Sequence, residues 1–414
     1  MISSLDYAAR RQKIYQDMKP NSILMMFSGE QKMSGNGDEE LPYYPNSNFY
    51  YLTGIMQSNS ILVATKKAGK IKEYLYVSDF DASKVKWTGV LLLIEEAGAI
   101  SGIKSVFPNK VFGEMYQDFF DGSKSQCLYT DLIPEIKIRK AFSVKDILLQ
   151  FKDEYPNVKV LDINPILVPI RAVKSSYEIK QIKEAIRITK RGLEAIRNSL
   201  EPNLYEYQLK ALFQYVVSDT LNVPLAFPSI VASGINAVTL HYPEASSKVK
   251  DNELVLFDLG ASYNLYKADI SRVFPVNGKF SALQRIVYEI VLECNKYIIS
   301  NVKPGISRET LNEMTKEFLK AKCVEKGLLK ESDDIHKVYY HGVSHHLGLD
   351  THDLCLYVRK EDLLEAGNVI TVEPGLYFAE HAIGVRIEDD VLVTENGCEV
   401  LSVEIPKEIK DIER

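Results

Sequence analysis

The chain has 414 residues, 46% of them apolar, and its 50 basic and 56 acidic residues leave a formal net charge of −6. That length exceeds what one hydrophobic core usually serves, so two domains are expected. The charges are spread along the chain, which excludes a basic stripe for nucleic acid and a polybasic membrane patch, so neither is expected as a partner.

The amino terminus lacks the apolar core of a signal peptide, and no run reaches the roughly 18 apolar residues of a membrane span, so a soluble, cytoplasmic protein is expected. Cys127, Cys294, Cys323, Cys355 and Cys398 are odd in number and scattered. They read as reduced packing residues, neither a disulfide framework nor a thiolate zinc site.

Over residues 1–165, short apolar runs at 22–27, 49–52, 61–64 and 74–77 read as strands, while 90–99 and 144–151 read as helices. This interleaving predicts an α/β layer domain. Ser34-Gly35-Asn36-Gly37 neither follows a strand nor opens a helix as a phosphate loop would, and reads as an exposed turn. Pro165 and Pro169 mark a boundary, so 166–175 is expected to be a linker, with a second domain over 176–414.

Ser175 and Glu178 form a capping-box signature for a long amphipathic helix, with Ile179, Ile182, Ile186, Leu193 and Ile196 on one face. A second helix over 205–221 precedes strand-like segments carrying His241, Asp258 and Asp269. After Asn277-Gly278 the order repeats. Helices over 283–299 and 308–326 precede strand-like segments carrying His345, Glu373 and Glu388. In each half a carboxylate stands two positions before a glycine (Asp258 and Gly260, Glu373 and Gly375), and a second carboxylate follows on the next strand (Asp269 and Glu388). The pattern predicts a duplicated α/β unit whose two sheets face one site.

Four carboxylates in apolar frames are costly to bury unless positive charge meets them, and two divalent cations would neutralise them. Oxygen-rich ligands with one imidazole suit manganese, cobalt, zinc or iron. A pair of such ions can lower the pKa of a shared water and polarise a carbonyl, which is hydrolase chemistry. His241, His341 and His352 fall in the same segments, where they could serve an oxyanion or a substrate. Arg386, two residues before Glu388, could orient carboxylates. Taken singly, an aspartate near a glycine is more often a turn residue and a histidine more often a packed one. Five such residues in a duplicated framework are a different matter. Asp353, Asp389, Asp390 and His381 are read as solvated or loop residues, and His346 as a neighbour without a ligand role.

Asp258-Leu-Gly-Ala-Ser-Tyr, Lys267-Ala-Asp269-Ile-Ser-Arg, His341-Gly-Val-Ser-His345, His352-Asp, Thr371-Val-Glu373-Pro-Gly-Leu-Tyr377 and Gly384-Val-Arg-Ile-Glu388-Asp-Asp closely resemble the pita-bread metallopeptidases, most of all their aminopeptidase P and prolidase branch. Tyr43-Tyr-Pro-Asn-Ser-Asn-Phe-Tyr-Tyr-Leu-Thr-Gly54 resembles the domain that precedes the catalytic domain in aminopeptidase P. The resemblance implies a creatinase-like amino-terminal α/β domain followed by a duplicated pita-bread catalytic domain. It implies Asp258 as ligand of one metal, Asp269 and Glu388 as bridges, and His345 with Glu373 as ligands of the other, with manganese the expected metal. Glu373 would also handle the proton of a metal-bridging hydroxide, His241 and His352 would contact the scissile peptide, and His341, Tyr377 and Arg386 would line or support the substrate pocket.

The implied activity is that of an Xaa-Pro aminopeptidase acting on peptides with proline in second position, in a homodimer or homotetramer. A prolidase restricted to dipeptides and a non-catalytic pita-bread binding module are the alternatives. The single tryptophan, Trp87, is read as an ordinary aromatic, the alternative being that it reaches a neighbouring subunit's substrate groove.

Overall fold

The computed structural model describes residues 3–35, 39–78, 85–89, 91–120, 127–132, 151–220, 223–355 and 357–414. The chain divides into two compact units, Met1–Arg171 and Ala172–Arg414. Among the described residues no helix is long and apolar enough to cross a membrane, and Cys127, Cys294, Cys323 and Cys398 are free thiols.

The first unit is built on strands β1 (Ser22–Phe27), β2 (Ile61–Lys67), β3 (Lys70–Val77), β4 (Val106–Pro108), β5 (Cys127–Thr130) and β6 (Lys159–Asp162), in the order β4-β3-β2-β1-β5-β6. β1, β2 and β3 pair antiparallel, whereas β4, β5 and β6 join in parallel. Its helices are α1 (Ser4–Asp17), α2 (Ser47–Thr53), α3 (Val85–Thr88), α4 (Ile94–Ser101), α5 (Phe112–Phe120) and α6 (Asn164–Ala172). Ile23, Met25, Val63, Tyr76, Phe119, Phe120, Leu128 and Phe151 form a buried cluster.

Two expectations fail in this unit. The aromatic run 49–52 lies in helix α2, not in a strand. The Asn46 side chain accepts the Phe49 N–H at its start and left-handed Gly54 ends it, so end chemistry overrides the β preference of the rings. The expected linker is largely helix α6, because Pro165 falls in a first turn, where no N–H is needed. Residues 36–38, most of the helix expected over 144–151, and the Trp87 side chain lie outside the described residues.

The second unit shows the duplicated order. Helices α7 (Ser176–Ser199) and α8 (Glu206–Ser218) precede β7 (Ile230–Ser233), β8 (Leu254–Leu259), β9 (Ser262–Tyr263), β10 (Tyr266–Lys267) and β11 (Ile270–Pro275). Helices α9 (Ala282–Asn301) and α10 (Arg308–Glu325) precede β12 (Val369–Val372), β13 (Gly375–Phe378), β14 (Ile383–Arg386), β15 (Asp389–Thr394) and β16 (Gly397–Val400). Ser175 caps α7 with the predicted reciprocal bonds to Glu178. One half gives the antiparallel sheet β11-β8-β7, and the other gives β12-β15-β16 with a β13-β14 ribbon.

Candidate metal centre

Each half delivers its acids at the ends of strands. Asp258 is the penultimate residue of β8, and Asp269 stands immediately before β11. Between them the chain folds back through β9 and β10 so tightly that a Cβ on Gly260 would sit 2.0 Å from the Ala268 carbonyl oxygen. Only glycine permits that approach, which sets the two aspartates side by side and explains the glycine two positions after Asp258. In the other half Glu373 occupies the break between β12 and β13, and Glu388 the break between β14 and β15. Neither glutamate lies within a strand, contrary to expectation. A backbone that leaves the pleat there aims consecutive side chains away from strict alternation.

His345 and His241 are also off the strands. The His345 loop runs beside β12, with the Thr371 N–H donating to the His345 carbonyl (2.9 Å) and the Glu373 N–H to the Val343 carbonyl (2.9 Å). The loop is closed by the Asp353 N–H donating to the His346 carbonyl (2.8 Å) and by a buried ion pair, Lys174 Nζ to Asp353 Oδ2 at 3.1 Å. His352 is thereby brought to His345, with ring centroids 4.4 Å apart. His241 follows the 3-10 turn Gly234–Val238 and is exposed.

The carboxylates converge. Ligand atoms of Asp269, His345 and Glu388 lie within 4.8 Å of one another. His345 Nε2 is 3.4 Å from Asp269 Oδ2 and 3.5 Å from Glu373 Oε1. His345 Nδ1 stands 3.1 Å from the His346 carbonyl oxygen, which requires a donor. That nitrogen therefore carries the proton, leaving the Nε2 lone pair facing two carboxylate oxygens. Burial, and then the neighbouring His352, lowers the His345 pKa to about 3, so the ring is neutral near neutral pH.

Burial followed by the surrounding carboxylates raises Asp269 and Glu388 well above their ordinary range. Burial raises Glu373 to about 8, against the opposing pull of Arg386. The buried Asp258 Oδ1 has no hydrogen-bond partner among the described residues. A lone pair aimed at acids, acids held protonated by one another, and an orphaned oxygen together form a donor set that fits divalent cations.

Arg386 organises the periphery. Its Nη2 donates to Asp258 Oδ2 (2.6 Å), its Nε to Ser271 Oγ (2.8 Å) and its Nη1 to the Tyr377 hydroxyl oxygen (3.1 Å). Ser271 Oγ in turn donates to Glu388 Oε2 at 2.7 Å. His341 Nδ1 lies 2.8 Å from the Gly342 carbonyl, so Nε2 accepts from the Tyr377 hydroxyl, also at 2.8 Å. Desolvation, then Arg386, lowers His341 to about 4. His352 is lowered too, by desolvation and then by nearby His241.

Behind the acids lies a polar cluster that the sequence reading missed. Asp389 and Asp390, expected to be solvated, are fully buried, as is Asp353 at 1% exposure. Arg272 donates to Asp389 Oδ1 (2.8 Å) and to the carbonyls of Glu388 (2.6 Å), Ser271 (2.9 Å) and Ile405 (3.1 Å). Lys407 donates to Asp389 Oδ2 (2.6 Å) and Asn295 Oδ1 (2.7 Å). The Asn295 amide then donates to the carbonyls of Val372 (3.1 Å) and Ile387 (3.2 Å), the residues preceding Glu373 and Glu388. Asp390 Oδ2 accepts the Asp269 N–H at 3.2 Å. Asp389 and Asp390 also border an apolar run, Val391-Leu-Val393, so the same cost of burying a charge bears on them.

Residues 180–395 match the model of metallopeptidase family M24, and residues 7–129 match that of the aminopeptidase P amino-terminal domain. The Xaa-Pro aminopeptidase of Haemophilus influenzae is 34% identical over 99% of this chain and 96% of its own length. That of Escherichia coli is 30% identical over 100% of this chain and 97% of its own. Among solved structures, one from Bacillus anthracis assigned as an aminopeptidase P superposes with a TM-score of 0.96 at 38% identity, covering 99% of this chain and 97% of that one. Escherichia coli aminopeptidase P, solved with the inhibitor Pro-Leu, gives 0.88 at 28% identity, with the same 99% and 97% coverage. The expected architecture, an aminopeptidase P amino-terminal domain followed by a duplicated pita-bread domain, holds. The chain belongs to metallopeptidase family M24, in its aminopeptidase P branch.

Proposed function

We propose that this protein is a metal-dependent Xaa-Pro aminopeptidase, releasing the first residue of peptides whose second residue is proline. The observation that carries the reading is the neutral His345 ring with its free lone pair aimed into the buried acids, in a chain whose full-length relatives are named Xaa-Pro aminopeptidases. Asp258, Asp269, His345, Glu373 and Glu388 would hold two divalent ions, with manganese the first choice and cobalt, zinc or iron accepted by the same donors. Bound there, the ions supply Lewis acidity toward a carbonyl and a water made acidic enough to attack at neutral pH.

The chain's own residues divide the remaining work. Glu373, with one oxygen facing His345 and its backbone held at the break between β12 and β13, stands where a carboxylate can take and return a proton of the attacking water. His352, packed against His345 and with its pKa lowered by burial and then by nearby His241, and His241 beside it can donate to a developing oxyanion. Arg386 and Tyr377 use their polar atoms to hold Asp258, Ser271 and His341, which makes them positioning residues for the acids and for the His341 side of the substrate pocket. Proline's tertiary amide has no N–H and a fixed φ, so its peptides suit a dedicated pocket better than a strand-pairing groove. A cytoplasmic homodimer or homotetramer completes the proposal.

The amino-terminal domain favours the aminopeptidase over the prolidase alternative. Assay with Xaa-Pro and Xaa-Pro-Xaa peptides at defined manganese loading tests this. Cleavage of the tripeptide is expected; turnover of dipeptides alone would assign a prolidase, and no turnover of either substrate by the metal-loaded protein would favour a binding module.

A further inference from the structure

His241, like His352, is exposed and has no ring hydrogen bond among the described residues. His352 is still packed against the His345 ring, whereas no such ring contact holds His241 among the described residues, so its placement follows from the backbone on either side. That backbone, from Ser233 to Ser247, converges on one carboxylate. Glu206, the first residue of α8, is 0% exposed. Its Oε1 accepts the Ser233 N–H (2.6 Å), the Ser233 hydroxyl (2.8 Å) and the Asn236 side-chain amide (2.9 Å). Its Oε2 accepts the Tyr242 hydroxyl (3.1 Å) and the Ser247 N–H (2.9 Å).

Tyr242 is the residue after His241, and the remaining donors lie on both sides of it. A carboxylate filled by donors from both flanks is satisfied without a cation, and it sits at a helix start that favours its charge. The segment it ties down is strained. Ala245, buried between Tyr242 and Ser247, has φ +48°, a conformation that persists only where its surroundings enforce it. From the opposite side, a Cβ on Gly384 would stand 2.3 Å from the Ala237 carbonyl oxygen, and the Tyr340 hydroxyl donates to the Val238 carbonyl. Glu206 thus secures from below a loop that β14 and Tyr340 limit from above.

We propose that Glu206 is the positioning residue for His241: it sets the loop that presents this ring, and acts on turnover through that ring and not through the metal ligands. The inference rests on the peptidase reading above. Glu206→Gln replaces one acceptor oxygen by a donor amide facing N–H and O–H groups, so the loop must shift.

The test is a double-mutant cycle in the manganese-loaded enzyme with His241→Ala. Glu206→Gln is expected to lower kcat/KM on the order of tenfold or more in the native background, and by less than about twofold in the His241→Ala background, with manganese content unchanged. NMR of ring-labelled histidine in the zinc-loaded enzyme, whose ion is diamagnetic and leaves the ring signals visible, supplies a readout independent of activity. The His241 resonance should shift or broaden, while those of His341, His345 and His352 stay in place. Equal losses in both backgrounds, loss of manganese, or displacement of all the rings alike would overturn the inference in favour of general structural damage; an unmoved His241 resonance would overturn it outright. If Glu206→Gln does not fold, Tyr242→Phe and Ser233→Ala each remove a single donor and enter the same cycle. Inactivity of the wild type on every peptide would count against the peptidase reading and leave the NMR test of Glu206 standing.

Discussion

Metal-stripped protein titrated upward from about pH 7 probes the carboxylate cluster directly. In the unfolded chain a glutamate releases its proton near 4.5, whereas folded Glu373 holds its proton to about 8, and burial among other acids raises Asp269 and Glu388 well above their ordinary range as well. Between those limits the folded state binds more protons than the unfolded one, so stability falls as pH rises, by up to about 1.4 kcal/mol per pH unit for each retained proton. The buried histidines act in the opposite sense. His341, lowered to about 4, and His345 and His346, each lowered to about 3, add stability as pH rises toward the unfolded value of 6.5. Starting at about pH 7 leaves little of that contribution. From there to about pH 9, Glu373 alone removes about 1.4 kcal/mol, and the raised Asp269 and Glu388 act in the same direction. Manganese should abolish the decline, because the ions offset the charge that burial penalises. Urea unfolding of chelator-treated and manganese-loaded protein across this range measures the difference. Apo stability that stays flat or rises would refute the account of the cluster.

Arg272→Met strands Asp389 with only Lys407 and Ser402 and takes the donor from the Glu388 carbonyl, so a loss of about 3–5 kcal/mol is expected in urea unfolding; a loss under about 1 kcal/mol would mean the pair is not a keystone. Glu373→Gln should cut bound manganese, read by elemental analysis, and abolish peptide turnover, and full loading with full activity contradicts its role. His352→Ala should leave metal content intact while lowering kcat on the order of a hundredfold, and an unchanged kcat removes it from the reaction. Asn295→Leu, which frees the backbones before Glu373 and Glu388, should weaken manganese affinity on the order of tenfold by calorimetry, and unaltered affinity would reduce Asn295 to packing.

The helices of the second unit were legible from their periodic apolar faces and, for the first of them, from the Ser175 cap as well. The acids were legible because charge inside an apolar run demands a partner. Their exact backbone setting was not. An apolar neighbourhood is the same whether a chain pairs or kinks, so Glu373 and Glu388 looked like strand residues. Phe49 to Leu52 looked like a strand for the converse reason, since aromatic residues fit both states and Asn46 and Gly54 decide between them. Asp389 escaped notice because its countercharges lie elsewhere in the chain. Arg272 is 117 positions away in sequence, and no local pattern announces such a pair. Glu206 is hidden in the same way, its donors lying 27 to 41 positions downstream.

Arg386 reaches Asp258 across 128 positions of sequence, and Ser271 reaches Glu388 across 117. During synthesis the first half therefore emerges with its two aspartates before either their guanidinium partner or the opposing glutamates exist. Those acids have no reason to leave water until the second half arrives. The metal centre is then assembled among the last parts of the unit, by contacts of long sequence separation that form slowly. An ion bound at that seam would act as a staple across the two halves, so cation supply would govern how firmly the newly made chain stays closed as well as how fast it works.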